Sequence, residues 1–272
     1  MRIFLSVDME GVAGVMDAAH WEMTGQFYDR ACALMTAEAN AAIEGLLEAG
    51  ATEILVNDSH HRMINLDPVA LHPAAKLIQG RIKPMSMCQG LGPGFDAALF
   101  VGYHAGRGTA RGCLDHTYTG ILHDVRINGR QANEAALNGL VAGHFGCPLV
   151  LVTGDPALRE EMRAWNPQIH ACVVKECFGR QAVMSLHPAK SRELIRGAAK
   201  RAALDRAQIA PLRVEPPVTL DIELVNTQMA DFCERIVGVE RTGGRSVRAQ
   251  AGDMLTVFRY FLTIMSMAGT VS

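Results

Sequence analysis

The chain has 272 residues, 49% of them hydrophobic and 20% charged, with 26 Lys and Arg against 28 Asp and Glu for a formal net charge of -2. That length supports one large core or two merged lobes, and a near-neutral balance without a basic, aromatic-interleaved run excludes the phosphate-neutralising stripe of a nucleic-acid binder. Seven cysteines with no CxxC pair argue against a disulfide framework and a cysteine zinc knuckle, and the few apolar residues between Arg2 and Asp8 are too few for a secretory leader, so a cytoplasmic protein is expected.

In chain order, Arg2 to Val7 reads as a strand that runs straight into Asp8 and Glu10 and is closed by Gly11. Asp29 to Glu48, rich in Ala, Leu and Glu, reads as a helix stopped by Gly50. Glu53 to Asn57 is a second strand, Ala97 to Tyr103 a third, and Val125 to Asn128 a shorter one bounded by Gly129. Gln131 to Phe145 has helical spacing with Gly146 as its stop, and "CPLVLVTGD" is an apolar run of strand length ending at Asp155. Further on come a strand from His170 to Glu176, a helix from Pro188 to Leu204, a strand from Val218 to Val225 after the Pro216 and Pro217 break, and a final helix from Asp253 to Met267. The apolar stretch from Met254 to Met267 contains Arg259 and is shorter than the roughly 20 residues that cross a bilayer, so it is expected to be a buried helix, with no membrane partner. Apolar strands alternating with helices predict an α/β fold: a largely parallel sheet covered by helices on both faces, with a second smaller α+β lobe. The boundary is expected near residue 155, with 1–155 the metal-binding catalytic core and 156–272 shaping the pocket and subunit contacts.

Chemistry gathers at the strand ends. In open α/β sheets ligands bind at the carboxyl ends of the strands. Asp8 and Glu10, two apart in an extended segment, can aim at one point, where two like charges repel unless a cation sits between them. "EILVNDSHH" brings Asp58, His60 and His61 to the same edge, "ALFVGYHAG" brings Tyr103 and His104, and "NGRQANEAALNGL" puts Asn133 and Glu134 at a helix start. Asp8, Glu10, His60, His104 and Glu134 form a mixed oxygen and nitrogen set suited to Zn, Mn, Fe or Co and too rich in imidazole for Mg or Ca. Five ligands exceed one tetrahedral ion, so two metals sharing Asp8 are expected. A site crowded with carboxylates also suits a free ammonium, which favours an aminopeptidase over a carboxypeptidase.

Other features are weighed against plainer roles. The glycine-rich "GYHAGRGTARGC" lacks the GK[ST] ending of a P-loop and the spacing of a dinucleotide fingerprint, and reads as a mobile loop over the metals. Its Arg107 or Arg111 is a candidate for holding a dipeptide carboxylate, with solvent exposure as the default. Asp155 is either a helix cap or a residue supporting the metal ligands. Met254, Met265 and Met267 read as core filler, and His144, His170 and His187 as structural.

Five motifs in order, "SVDMEG", "NDSH", "GYHA", "LDHTY" and "NEAALNGLVAGHFGCPLVLVTGD", resemble the D-aminopeptidase family of di-zinc, self-compartmentalising peptidases, and "VVKE" and "LHP" in the second half are similar as well. The resemblance implies a metallo-aminopeptidase that hydrolyses the N-terminal residue, a D-amino acid, from short peptides. It maps two zinc ions onto Asp8, Glu10, His60, His104 and Glu134, and the catalytic histidine onto His116. It also implies a homodecamer of two stacked pentameric rings. On residues alone His116 is no better a general acid or base than His123. One departure stands out: where the family usually has Gly after the "DSH" histidine, this chain has His61 and then Arg62, which could line the pocket, face solvent or compete as a ligand. An L-residue preference within the same family, a metallophosphoesterase and a non-catalytic metal-stabilised assembly remain as alternatives.

Overall fold

A computed structural model describes residues 1–271. In chain order its elements are β1 (Arg2–Val7), α1 (Ala18–Trp21), α2 (Tyr28–Glu48), β2 (Glu53–Asp58), β3 (Ala75–Ile78), β4 (Ala97–Val101), β5 (Leu122–Ile127), β6 (Arg130–Gln131), α3 (Glu134–His144) and β7 (Leu149–Gly154). There follow α4 (Pro156–Trp165), β8 (His170–Val173), β9 (Lys175–Gly179), β10 (Ala182–Ser185), α5 (Pro188–Asp205), β11 (Val218–Leu224), α6 (Thr227–Cys233), β12 (Val239–Arg241), β13 (Ser246–Ala251) and α7 (Met254–Ala268).

Six strands form a wholly parallel sheet in the order β3-β2-β1-β4-β7-β8. Its middle strands are apolar on both faces because helices cover both: Ile3, Phe4, Leu5, Leu99, Phe100 and Leu151 have no solvent exposure at all. The order reverses at β1, which has β2 on one side and β4 on the other, so the crevice between the carboxyl ends of β1 and β4 is a topological switch point. The register levels the edge, since Val7 lies beside Asp58 of β2 and Val101 of β4. Whatever follows those three residues emerges side by side.

A second, five-stranded antiparallel sheet has the order β12-β13-β11-β5-β6, and β9 and β10 form a hairpin of their own. The line at residue 155 does not separate the two sheets: β5 and β6 precede it but join the antiparallel sheet, whereas β8 follows it and closes the parallel one. The burial of β5 gives the reason, with Leu122, Val125 and Ile127 buried and His123 and Arg126 exposed between them, the alternation of a sheet with one wet face. The segment expected as one strand from His170 to Glu176 splits at Val174, whose N–H bonds to Gly154 O while Lys175 turns away into the hairpin.

The α7 helix and its following turn, Met254–Val271, are long and apolar enough by length and composition to cross a membrane. One stripe, with Val257, Phe258, Phe261 and Ile264, is buried, and the helix packs on β11, β13, α3 and α6. Leu262, Met265 and Met267 are half-buried, packed against the core on one side and bordering an open cleft on the other, so two of the methionines expected as core filler are wall residues as well.

Candidate metal centre

The cleft has a volume of about 1220 Å³ and opens over the switch point. At its floor Asp8, Glu10, His60, His104 and Glu134 are all buried, each no more than 4% exposed. The loop after β1 brings the first two, the loop after β2 brings His60, the end of β4 leads to His104, and Glu134 opens α3, where Asn133 caps the helix by accepting from Ala136 N at 2.8 Å. Close backbone approach makes this possible. Gly11 N–H donates to Gly102 O at 2.7 Å, and a Cβ on Gly11 would lie 1.8 Å from Tyr103 O, so only glycine lets the two ligand-bearing loops touch.

The side chains meet in two overlapping groups. His60 Nδ1 is 2.9 Å from Glu10 Oε2 and 3.4 Å from Asp8 Oδ1. His104 Nε2 is 3.6 Å from Asp8 Oδ2 and 3.3 Å from Glu134 Oε1. Asp8 therefore turns one oxygen to each imidazole. Two ligands about 2.0–2.2 Å from a shared tetrahedral ion lie about 3.3–3.6 Å apart, close to these separations.

The imidazoles are fixed in the tautomer that a metal needs. His60 Nε2 donates to Trp21 O at 2.9 Å and His104 Nδ1 donates to Ala105 O at 2.9 Å. Each ring therefore turns its other nitrogen toward carboxylates, where the positive charge between them is supplied by a proton or by a metal ion. Asp8 Oδ2, Glu10 Oε2 and His104 Nε2 are buried and make no hydrogen bond among the described residues. Burial, reinforced by the charge of Glu10, pushes the Asp8 carboxyl up to about 7. Burial alone would lower the pKa of His60 and His104, but Glu10 on the first and Glu134 on the second outweigh it and hold both well above the ordinary imidazole value. Burial would likewise raise Glu10 and Glu134, yet His60 and His104 respectively draw them down. A metal ion can replace the imidazole protons in this cage, and its buried oxygen and nitrogen donors fit zinc.

His116 stands beside this group and His123 does not. The His116 ring stacks on that of His104 with centroids 4.2 Å apart, its Nδ1 donates to Leu114 O at 2.8 Å, and its Nε2 lies 3.6 Å from Glu134 Oε1. It is the one imidazole of the three with solvent access, its side chain being 21% exposed. Burial and the charge of His104 lower its pKa. Its Nε2, with His104 and Glu134, also lies close enough to share one ion. His123 sits on the exposed side of β5, lining a separate cavity of about 200 Å³ together with Arg107.

Asp58, also at a strand end, is spent otherwise: its oxygens accept from Asn65 N (2.5 Å), Leu66 N (2.8 Å) and Asn65 Nδ2 (2.7 Å), folding the loop that carries His60. Asp155 caps α4 through Leu158 N at 2.8 Å, one of the two roles expected for it, and accepts from Cys113 N at 2.9 Å rather than from any of the five candidate ligands. The glycine-rich loop is tied down, with Glu161 accepting from Gly106 N, Thr109 Oγ1 and Asn133 Nδ2, and Asp115 accepting from Gly108 N. Arg107 donates to Gly120 O and Arg111 is exposed, and neither lines the cleft. His61 does line it, its ring 6.0 Å from that of His60, while Arg62 is exposed and stands outside the lining. His61 holds φ 49°, a left-handed conformation that glycine adopts freely and other residues at a cost of about 1–2 kcal/mol.

Lys175 is a site residue that strand-end reasoning does not reach. It is 1% exposed, and its Nζ donates to the carbonyls of Glu10, Val12 and Val15, clamping the loop that presents Asp8 and Glu10. The only signal in the sequence is a lysine inside the apolar "VVKE" run.

A family model described as D-aminopeptidase (peptidase M55) matches residues 1–263. The chain is 36% identical over 269 residues to a D-aminopeptidase from Bacillus subtilis (strain 168), which covers 98% of each chain. Its fold matches the solved structure of the Zn-dependent D-aminopeptidase DppA from Bacillus subtilis, a self-compartmentalizing protease, with a TM-score of 0.96 and 36% identity over 98% of both chains.

Proposed function

This chain belongs to the D-aminopeptidase family, and from that premise we propose that it is a zinc-dependent hydrolase that removes N-terminal D-residues from short peptides. The observation that carries the reading is the pair of buried imidazoles, each locked by a main-chain carbonyl so that its free nitrogen faces buried carboxylates. In this reading Asp8, Glu10, His60, His104 and Glu134 would hold the zinc. Zinc bound there supplies Lewis acidity and lowers the pKa of water to about 7.

The chain's own residues account for the proton. His116 is held at Nδ1 by Leu114 O, which leaves Nε2 to take a proton from water and pass it to the departing amine. Burial, the largest cause of its lowered pKa, favours the neutral ring that a base must have before the reaction. The same side chain lines the cleft and is more open than the His60 and His104 rings, so it can reach a substrate without leaving its stack on His104. The cleft has room for a short peptide, and Met265 and Met267 give its α7 wall adaptable apolar surface for side chains.

We also propose that the protein is cytoplasmic and works as a homo-oligomer, a decamer of two stacked pentameric rings. Similarity to a self-compartmentalizing protease supports the assembly, and seven unpaired cysteines suit a reducing compartment. Light scattering that returned only the 29.4 kDa mass of one chain would reject the ring.

The activity is tested with zinc-loaded protein offered D- and L-aminoacyl p-nitroanilides and p-nitrophenyl phosphate. The D-aminoacyl substrate is expected to be cleaved, the rate to vanish on chelation, and His116→Ala to lose roughly 100-fold to 10,000-fold. Turnover of the phosphate ester alone, or a rate indifferent to chelation, would overturn the reading.

A further inference from the structure

The cleft has an unequal distribution of charge. Its carboxylates, Asp8, Glu10 and Glu134, all lie buried at the floor, whereas Arg81, Lys83 and Arg180 line it as cations. Two of these three are committed to the protein itself. Lys83 Nζ donates to Asn57 Oδ1 at 2.5 Å and Asp58 O at 2.6 Å, and Arg180 pairs with Asp115 at 3.0 Å. The exposed Arg81 makes no hydrogen bond or ion pair among the described residues. Its backbone is nonetheless anchored on both sides, by Gly80 N donating to Met63 O at 2.6 Å and by the buried Lys83 two residues on. A fixed main chain thus presents a planar donor fork, exposed and unspent, to a cleft whose acids are all buried.

We propose that Arg81 binds the free C-terminal carboxylate of the peptide, so that the site recognises its substrate by both ends. The inference rests on the aminopeptidase reading, which places the amino end at the floor. A zwitterionic peptide whose amino end sits at the floor extends its anionic end outward, to a guanidinium that can bond both carboxylate oxygens in parallel. Each extended residue adds roughly 3.3–3.6 Å, so the span from floor to Arg81 selects peptide length as well as end-group charge. Amidated peptides and internal segments of longer chains lack the anion and are disfavoured.

The test is calorimetric and needs no turnover. Reduced-bond dipeptide and tripeptide analogues, with CH2–NH in place of the scissile amide, are titrated into zinc-loaded full-length protein as free acids and as C-terminal amides. The acid is expected to bind roughly fivefold to tenfold more tightly at one of the two lengths. That ratio is expected to fall to about one in Arg81→Ala and to persist in Arg107→Ala, whose side chain lies outside the cleft. A ratio of one at both lengths in the unmodified protein, or a ratio unchanged in Arg81→Ala, overturns the proposal. A protein that shows the ratio yet cleaves neither a D-aminoacyl p-nitroanilide nor a free-acid D-dipeptide would instead overturn the peptidase reading, so the two failures are separable.

Discussion

Lys175 shows how a single side chain can hold a reactive loop in place. Burying an ammonium costs several kcal/mol unless its donors are met, and here three carbonyls of one turn meet them. Lys175→Met keeps the apolar stem but leaves those carbonyls without their donor. It is expected to lower the unfolding free energy of the zinc-free protein by about 3 kcal/mol and to reduce bound zinc below the unmodified stoichiometry, read by thermal unfolding and by metal analysis. Full zinc content with an unchanged midpoint would reject the clamp. At this scale the sequence is informative about side chains that stand at strand ends, which is why Asp8, Glu10, His60 and His104 are legible as a group. It is silent about their orientation, because Trp21, Ala105 and Leu114 act through main-chain carbonyls that carry no residue identity. Lys175 is hidden for the same reason.

Elements were legible in proportion to their burial. The strands β1, β2, β4 and β7 are apolar runs because both their faces are covered, and α2, α3, α5 and α7 are long enough for helical spacing and stop signals to register. The four-residue β3, the β9–β10 hairpin, β12 at the rim of the antiparallel sheet and β13 beside it are short or half wet, so packing rather than local pattern decides them. The pairing of α2 with α5 is likewise a tertiary fact, and Gly45 is its contact point: a Cβ there would sit 2.1 Å from Arg196 O. In an isolated helix Gly→Ala gains about 1 kcal/mol, whereas forcing atoms into a closed interface costs about 1–3 kcal/mol. Because the obstacle is backbone, the cost wins. Gly45→Ala is expected to lower the chemical-denaturation midpoint with the slope unchanged, and a raised midpoint would show that α5 moves aside freely.

Across the whole molecule, Glu38 joins three distant segments and makes their union depend on pH. Its Oε1 accepts from Ala13 N at 3.1 Å and Ser191 Oγ at 2.8 Å, linking α2 to the loop after β1 and to α5, while burial pushes its carboxyl up to about 7 from an ordinary 4.5. A pKa raised on folding contributes stability that is complete below about 4.5 and is lost as pH rises through about 7, amounting to about 3 kcal/mol. Glu38→Gln removes that dependence, so its unfolding free energy relative to the unmodified protein is expected to increase between pH 5 and pH 8. A difference constant with pH would mean that Glu38 ionises as readily folded as unfolded. The wider plan, one parallel sheet whose edge gathers the acids and imidazoles, follows from where β1 reverses the strand order, and that reversal was not legible in any one segment. The short helix α1 adds something of another kind. The chain has two tryptophans; Trp165 lies beneath Arg130, its ring centroid 3.9 Å from that guanidinium, whereas Trp21 lines the cleft and its carbonyl anchors His60. Light emitted by Trp21 therefore registers both an arriving guest and the pose of a floor imidazole, so the molecule carries its own optical gauge of occupancy, with no dye attached.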